Sequence, residues 1–185
     1  MTFEQFLDSL PEYAKDLKLN LSSVLRQTEL TPQQLWGTAL ASAIAARNGV
    51  LTEVIAYEAV KQLTPEAMAA AKSAAAIMGM NNVYYRFTHL VENEKYGTIP
   101  ARLRMNAIRT HGISPVDFEL WCTAVSAVNG CGACMASHER VVREKGLTEE
   151  QVAASVRVAS VIHAVAGVLD AEEALAGVEP AKTNA

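Results

Sequence analysis

Apolar positions along this chain recur at intervals of three and four residues, the spacing of one face of an α-helix. No stretch shows the sustained period-two alternation with β-branched residues that is typical of a strand. We therefore predict an all-α fold: a single compact helical domain of about eight helices. The predicted helices cover approximately residues 11–28, 32–46, 50–61, 65–92, 101–109, 116–128, 131–145 and 149–175, with a further short helix over 2–9.

Capping residues mark where several of these helices begin. Ser or Thr before the first helical residue can accept a hydrogen bond from the free backbone N–H groups of the first turn. Thr31 and Ser114 each precede a proline, and the residues three positions after them, Gln34 and Asp117, have side chains able to reach back to the cap. The predicted caps are Thr31, Thr64, Ser114 and Thr148.

Two segments in the first half of the chain resemble two segments in the second half. Residues 34–40 resemble residues 119–125, an offset of 85, and residues 63–66 resemble residues 147–150, an offset of 84. A nearly constant offset predicts two similar helical units within one domain. We place the first unit at about 1–97 and the second at about 98–177, with a loop at 97–100 and a frayed tail at 178–185.

Composition and charge narrow the functional classes. Half of the 185 residues are hydrophobic and only 6% are aromatic, which favours closely packed, Ala-rich helices. The net charge is −4 without a cluster of basic residues, so we expect no nucleic-acid partner. The N-terminus lacks the pattern of a signal peptide, and the Ala-rich stretch 67–80 is too short to cross a bilayer. We expect a cytoplasmic protein without a membrane partner.

The most informative stretch contains two cysteines three residues apart, Cys131 and Cys134, followed by His138. Two thiols at this spacing can close a disulfide with little movement. The preceding pair 129–130, Asn-Gly, is expected to end one helix, so the sulfurs fall in the first turn of the next, where free N–H groups stabilise a thiolate. His138 shares their helical face. The pattern is typical of a redox dithiol with a proton-handling partner.

Other interpretations of these residues remain open. Cys131, Cys134 and His138 are three potential zinc ligands, although no fourth is evident, and the cysteines can also be an inert core pair. Glu119 is either an exposed carboxylate complementing a helix dipole or a partly buried acid. We expect four further residues to be structural: Cys122, His89, His111 and His163. The adjacent Asn81 and Asn82 are unusual inside a helix, and packing or hydrogen bonding between helices explains them most simply.

Longer segments resemble the alkyl hydroperoxidase D family, within the wider carboxymuconolactone decarboxylase-like superfamily. The similarity extends from about residue 10 to 175 and is far more specific than two cysteines alone. The matching segments include Leu10-Pro-Glu-Tyr-Ala-Lys-Asp16, Leu19-Asn-Leu-Ser-Ser23, Gln34-Leu-Trp-Gly-Thr38, Ala74-Ala-Ala-Ile-Met-Gly-Met-Asn-Asn-Val83, Leu103-Arg-Met-Asn106, Phe118-Glu-Leu-Trp121 and Ala124-Val-Ser-Ala-Val-Asn-Gly-Cys131.

The resemblance implies an antioxidant thiol peroxidase that reduces organic hydroperoxides. It also implies a homotrimer with no bound cofactor. Electrons are expected from dihydrolipoamide on a lipoyl-carrying acyltransferase, and the protein is expected to reduce a partner peroxiredoxin. Since a dithiol suits either role, the alternative is an electron-transfer adaptor that reduces a peroxiredoxin with little peroxidase activity of its own.

The family's functional residues match positions in this chain. Cys134 corresponds to the peroxidatic cysteine, which forms a sulfenic acid, and Cys131 to the proton donor that then closes a Cys131–Cys134 disulfide. Glu119 and His138 correspond to its proton relay, and no metal ligand is implied. One position departs from the family pattern. Well-known members have a second histidine immediately before the second cysteine, and this chain has Ala133 there. A water molecule or Ser137 is expected to bridge that gap.

Overall fold

Nine α-helices and two 3₁₀ turns form the secondary structure of residues 1–178, the part of the chain described by this computed structural model, and no strand occurs there. The predicted all-α class is therefore confirmed. The helices are α1 (Phe3–Ser9), α2 (Lys15–Val24), α3 (Pro32–Ala46), α4 (Gly49–Ala59), α5 (Pro65–Leu90), α6 (Glu94–Thr98), α7 (Pro115–Val128), α8 (Gly132–Glu144) and α9 (Glu149–Leu175), with 3₁₀ turns at Glu12–Ala14 and Asn106–Ile108.

The centre of the fold is α3, which packs against α5, α7 and α9. At its crossing with α7, the fully buried indole of Trp121 lies over Gly37. A Cβ at position 37 would stand 1.9 Å from Cζ2 of that ring, so only glycine fits. The indole N–H of Trp121 donates to the Gln34 carbonyl oxygen at 3.2 Å. This contact fixes the depth at which α7, the helix before the cysteines, sits in the core.

Three of the predicted caps accept the expected hydrogen bond: Thr31, Thr64 and Thr148. The fourth helix, α7, does begin at the predicted position, but the Ser114 side chain makes no capping bond. The expected partner, Asp117, is buried and accepts instead from Gln33 Nε2 at 2.6 Å and Gln34 Nε2 at 2.9 Å. The prediction of a capping interaction at this residue was wrong because a tertiary contact with α3 takes the carboxylate.

The helix predicted over 101–109 was also wrong. Residues 101–105 have no regular secondary structure, and only a 3₁₀ turn at Asn106–Ile108 follows. Arg102 has φ of 53°, a left-handed conformation that a helix does not accommodate. Positions 101, 103 and 105 are partly buried while Arg102 and Arg104 are exposed. This short alternation has the period of an extended chain. The loop predicted at 97–100 overlaps the end of α6.

Within the described residues, α9 is the one helix that is long and apolar enough to cross a membrane. Half of its most apolar 18-residue window is buried in the protein, where α9 packs on α2, α3 and α7. A core helix meets the same criterion. The Ala-rich stretch 67–80, which was predicted to be too short to cross a bilayer, lies within α5. The predicted tail at 178–185 lies, apart from Val178, outside the described residues.

The predicted division into two helical units stays a prediction. The matching segments 34–40 and 119–125 lie in α3 and α7, and these two helices pack against each other.

Candidate active site

The turn between α7 and α8 delivers the first cysteine. Gly130 has φ of 68°, the left-handed conformation that ends many helices. Its N–H donates to the Ala127 carbonyl at 3.1 Å, and the N–H of Cys131 donates to the Ser126 carbonyl at 3.0 Å. These two bonds form a Schellman motif, which satisfies carbonyls that would otherwise be unpaired at the end of α7. As predicted, the Asn-Gly pair ends one helix, and the next begins at the cysteines.

Cys131 is itself the N-cap of α8. Its Sγ accepts from the Cys134 N–H at 3.3 Å, the place that a Ser or Asp oxygen occupies in other helices. The two cysteines form a disulfide across the first turn, with their Cα atoms 5.3 Å apart. Cys131 is fully buried, whereas Cys134 remains 6% exposed. Any group that approaches this pair from outside therefore meets Cys134 before Cys131.

A carboxylate–imidazole pair accompanies the disulfide. Nδ1 of His138 lies 2.6 Å from Oε2 of Glu119. The two side chains are 15% and 17% exposed, so the interaction is largely shielded from water. A hydrogen bond on Nδ1 leaves Nε2 as the nitrogen available for proton exchange. Glu119 is thus the partly buried acid, one of the two possibilities that its sequence context allowed.

A cavity of about 280 Å³ opens beside the second cysteine. Its wall includes Cys134 and His138, both on α8, so these two residues border the same space. Ala133 also lines it, so the position that departs from the family pattern contributes only a methyl group there. The lining residues are Asn81, Tyr85, Ala133, Cys134, Ser137 and His138.

Hydrogen bonds from α5 hold the α7–α8 turn in place. Asn82 is 1% exposed; its Nδ2 donates to Ser126 Oγ at 2.9 Å, and its Oδ1 accepts from Asn129 Nδ2 at 2.9 Å. Arg86 Nη1 donates to the Asn129 carbonyl at 2.6 Å. From the sequence, the paired asparagines were recognised only as unusual inside a helix. This hydrogen-bond network explains Asn82. No sequence pattern indicated a role for Arg86.

The other Cys and His residues, which were predicted to be structural, lie outside the lining of this cavity. The Cys122 thiol is fully buried, and burial together with the nearby Glu119 carboxylate raises its pKa well above the usual value. His111 stacks on Phe118 with ring centroids 4.2 Å apart, and burial lowers its pKa, partly offset by Glu119. His89 and His163 are exposed. Among residues 1–178, no three His, Cys, Asp or Glu side chains are grouped to hold a metal ion.

Comparison with known proteins identifies the class. Residues 94–177, which include α7, α8 and α9, match the Carboxymuconolactone decarboxylase family model. The alkyl hydroperoxide reductase AhpD of Solibacter usitatus is 63% identical over 172 residues, covering 93% of this chain and 97% of that protein.

Two further relatives have the same name. That of Acidobacterium capsulatum is 61% identical, covering 94% of this chain and 95% of its own, and that of Streptomyces coelicolor is 51% identical, covering 95% and 99%. The chain belongs to the AhpD family, within the carboxymuconolactone decarboxylase-like superfamily.

Proposed function

We propose that this chain is an antioxidant alkyl hydroperoxide reductase that works through a Cys131–Cys134 dithiol–disulfide cycle. The observation that carries the proposal is the disulfide in the first turn of α8, with Cys134 and the Glu119-bound His138 lining one cavity. The names of the relatives support peroxide reduction. A decarboxylase within the same superfamily would have no need of a dithiol.

The cycle begins with the Cys134 thiolate attacking the outer oxygen of a hydroperoxide. The S–O bond forms as the O–O bond breaks, and Cys134 becomes a sulfenic acid. The departing alkoxide takes the proton of Cys131 and leaves as an alcohol. The Cys131 thiolate then attacks the Cys134 sulfur, forming the disulfide and expelling hydroxide, which is protonated to water. Overall, two thiols and one hydroperoxide give a disulfide, an alcohol and water.

Lowering the pKa of the attacking thiol supplies only part of the rate. A thiol with a pKa of about 8.5 is about 3% ionised at pH 7, and a fall of two units raises that fraction roughly 25-fold. Nucleophilicity then drops about tenfold, because the Brønsted slope is near 0.5. The net gain is a few-fold. General acid–base catalysis contributes about 10²–10⁴-fold, so most of the acceleration is assigned to proton transfer.

We assign that proton transfer to Glu119 and His138. The pair holds and passes the proton between Cys131 and solvent, so that Cys131 has a proton to give to the leaving oxygen. Because Ala133 has no imidazole to carry the proton between Cys131 and the Glu119–His138 pair, another group in the cavity has to carry it. The volume of the cavity exceeds the roughly 30 Å³ share of one water molecule, and the Ser137 side chain lines it. A water molecule or Ser137 is therefore the proposed bridge.

We propose dihydrolipoamide, carried on an acyltransferase, as the external reductant, with no cofactor bound to the chain itself. Its thiolate meets Cys134 because Cys131 is fully buried. The mixed disulfide accordingly forms on Cys134, with Cys131 as the leaving thiolate at the N-terminus of α8, where the helix dipole stabilises it. A partner peroxiredoxin would exchange through the same sulfur. We place these reactions in the cytoplasm.

We also propose that the chain acts as a homotrimer. One face of α5 carries Val83, Phe87 and Leu90, which are 60%, 47% and 67% exposed. Their spacing of four and three residues aligns them on one helical stripe. An apolar stripe of this kind is typical of an association surface. Phe87→Lys is expected to shift the mass measured by light scattering toward the monomer, whereas a monomeric wild-type protein would refute the trimer.

One observation favours a second candidate function. Because position 133 offers only a methyl group to the cavity, proton delivery to the leaving alkoxide is less direct than with a second imidazole. Disulfide exchange with another protein needs no such delivery to an alkoxide. The alternative is therefore an adaptor that reduces a peroxiredoxin and has little peroxidase activity of its own.

Rapid mixing of the reduced protein with tert-butyl hydroperoxide, followed by thiol counting, tests the proposal. We expect two thiols to disappear per peroxide consumed and to return on addition of dihydrolipoamide. No loss of thiols would refute the peroxidase and leave the adaptor. Loss without recovery would refute dihydrolipoamide as reductant. Cys122→Ala is the matched background, because it removes the buried third thiol from the count.

A further inference from the structure

Asn81 has no explanation within the fold. It lies in the interior of α5, where asparagine is less favourable than alanine. Its side chain is only 5% exposed, and its Oδ1 atom is buried without a hydrogen-bond partner. A buried polar atom left unpaired is a substantial destabilising feature.

The neighbouring asparagine provides the contrast. Asn82 has the same side chain in the same helix, and both of its amide atoms are hydrogen bonded, to Ser126 and Asn129. Its role is to hold the α7–α8 turn. Asn81 makes no comparable bond through Oδ1, so support of the turn does not account for it. A buried, unpaired amide oxygen at one position and a fully paired amide at the next indicate different roles.

The surroundings of Asn81 indicate which group completes its hydrogen bonding. The side chain lines the same cavity as Cys134, the proposed peroxidatic residue. It approaches from α5, while Cys134, Ser137 and His138 all approach from α8. An amide and a cysteine that border the same cavity can hold a small polar group between them.

We propose that the Asn81 amide binds the hydroperoxide group of the substrate and holds its outer oxygen against Cys134 Sγ. The inference rests on the proposed function and adds a substrate-binding residue to it. A hydroperoxide donates one hydrogen bond and accepts others, and an amide offers both an acceptor and two donors. An amide N–H donates to the oxygen that leaves, and rotation of the Asn81 side chain brings its buried amide oxygen to the cavity to accept the O–H of the substrate.

The first of these bonds strengthens during the reaction. As Sγ bonds to the outer oxygen and the O–O bond breaks, negative charge accumulates on the departing oxygen until Cys131 protonates it. A donor placed at that oxygen binds the transition state more tightly than the substrate, which raises the rate. Because the amide contacts only the O–OH group, it acts alike on hydroperoxides with different carbon chains.

The test compares two reactions of the same thiolate. Reduced wild type, Asn81→Ala and Asn81→Leu are mixed with tert-butyl hydroperoxide, with hydrogen peroxide and, separately, with iodoacetamide. We expect both variants to react about tenfold or more slowly with each peroxide, the effect of losing a hydrogen bond to a developing charge. Alkylation needs no such bond, so its rate and its pH profile should change less than about twofold.

The outcomes separate this inference from the proposed function. If the wild type loses no thiols to peroxide, the proposed function fails, and this inference with it. If the wild type reacts and both variants react equally fast, Asn81 does not bind the substrate and the peroxidase stands. If alkylation slows as much as peroxide reduction, Asn81 acts on the thiol, and the inference is wrong. The leucine variant fills the volume of the amide, which guards against collapse of the cavity.

Discussion

Nδ1 of His138 and Oε2 of Glu119 lie 2.6 Å apart, although the residues are 19 positions apart in the chain. One belongs to α8 and the other to α7, on the two sides of the turn that carries the cysteines. Thr123, one turn after Glu119, donates to the Glu119 carbonyl at 3.0 Å. The contact between Glu119 and His138 therefore depends on the angle between α7 and α8. The Schellman turn at Gly130 sets that angle.

Glu119→Gln should reduce peroxide turnover at least tenfold while the fold remains intact. Glutamine keeps the shape of the side chain but removes the charge that stabilises a protonated His138. The measurement is the steady-state rate with tert-butyl hydroperoxide. Glu139→Gln is the matched control, because Glu139 follows His138 on α8 and faces Arg143, at 3.8 Å, instead of the pair. It should stay within about twofold of wild type; an unchanged rate in Glu119→Gln would remove that residue from the mechanism.

The two adjacent asparagines should respond to alanine in opposite directions. Asn82→Ala leaves Ser126 and the Asn129 amide without their partner, and we expect a loss of about 1–3 kcal/mol of unfolding free energy in urea. Asn81→Ala removes an unpaired buried oxygen and improves helix propensity, so we expect no loss and a gain of up to about 0.5 kcal/mol. Equal destabilisation by both changes would show that Asn81 supports the fold.

Gly37→Ala should be among the most damaging single changes to this protein. The new methyl group would overlap the Trp121 ring, whose Cζ2 stands 1.9 Å from the required position. Because the indole is fully buried, α3 and α7 must separate, and we expect a loss of about 3 kcal/mol or more. Gly79→Ala in α5 is the control: nothing lies within 4 Å of its Cβ position, and it should be neutral or slightly stabilising. Urea denaturation measures both.

Cys122 should make stability fall at alkaline pH. Burial raises the pKa of its thiol in the folded state, so the folded protein retains a proton that the unfolded chain releases above about pH 8.5. The unfolded state then binds fewer protons, and the free energy of unfolding decreases as pH rises. In the oxidised protein Cys122 is the free thiol of the three cysteines.

Urea denaturation of the oxidised protein between pH 7.5 and 10 should therefore show a steeper decline for wild type than for Cys122→Ala. Parallel curves would contradict the raised pKa. A thiol reagent at pH 8 provides an independent check: it should react slowly with the folded oxidised protein and rapidly with one thiol after unfolding.

Local chemistry decided which features could be predicted from sequence. The caps at Thr31, Thr64 and Thr148 and the break at Gly130 depend on residues close in the chain, and all were correct. Asp117 has the same local signal, yet the side chains of Gln33 and Gln34 compete for it from another helix. Such competition leaves no trace in the local sequence.

The site residues also divide into those that could be predicted from the local sequence and those that depend on contacts between helices. The spacing of Cys131, Cys134 and His138 placed them on one helix without reference to the rest of the fold. Whether Glu119 was exposed or partly buried required the packing of α7 on α8. The role of Arg86, which reaches a backbone carbonyl 43 residues away in the chain, followed from no pattern.

The burial of Cys131 has a kinetic consequence. Because Cys131 is fully enclosed and Cys134 is 6% exposed beside the cavity, we expect the proposed oxidant and reductant to use the same opening in alternation. In the proposed cycle, turnover is then a ping-pong reaction, and each substrate competes for the cavity of the enzyme form that it cannot convert. We expect an excess of hydroperoxide to slow re-reduction and an excess of dihydrolipoamide to slow oxidation, so that the proposed cycle runs fastest when the two supplies are in balance.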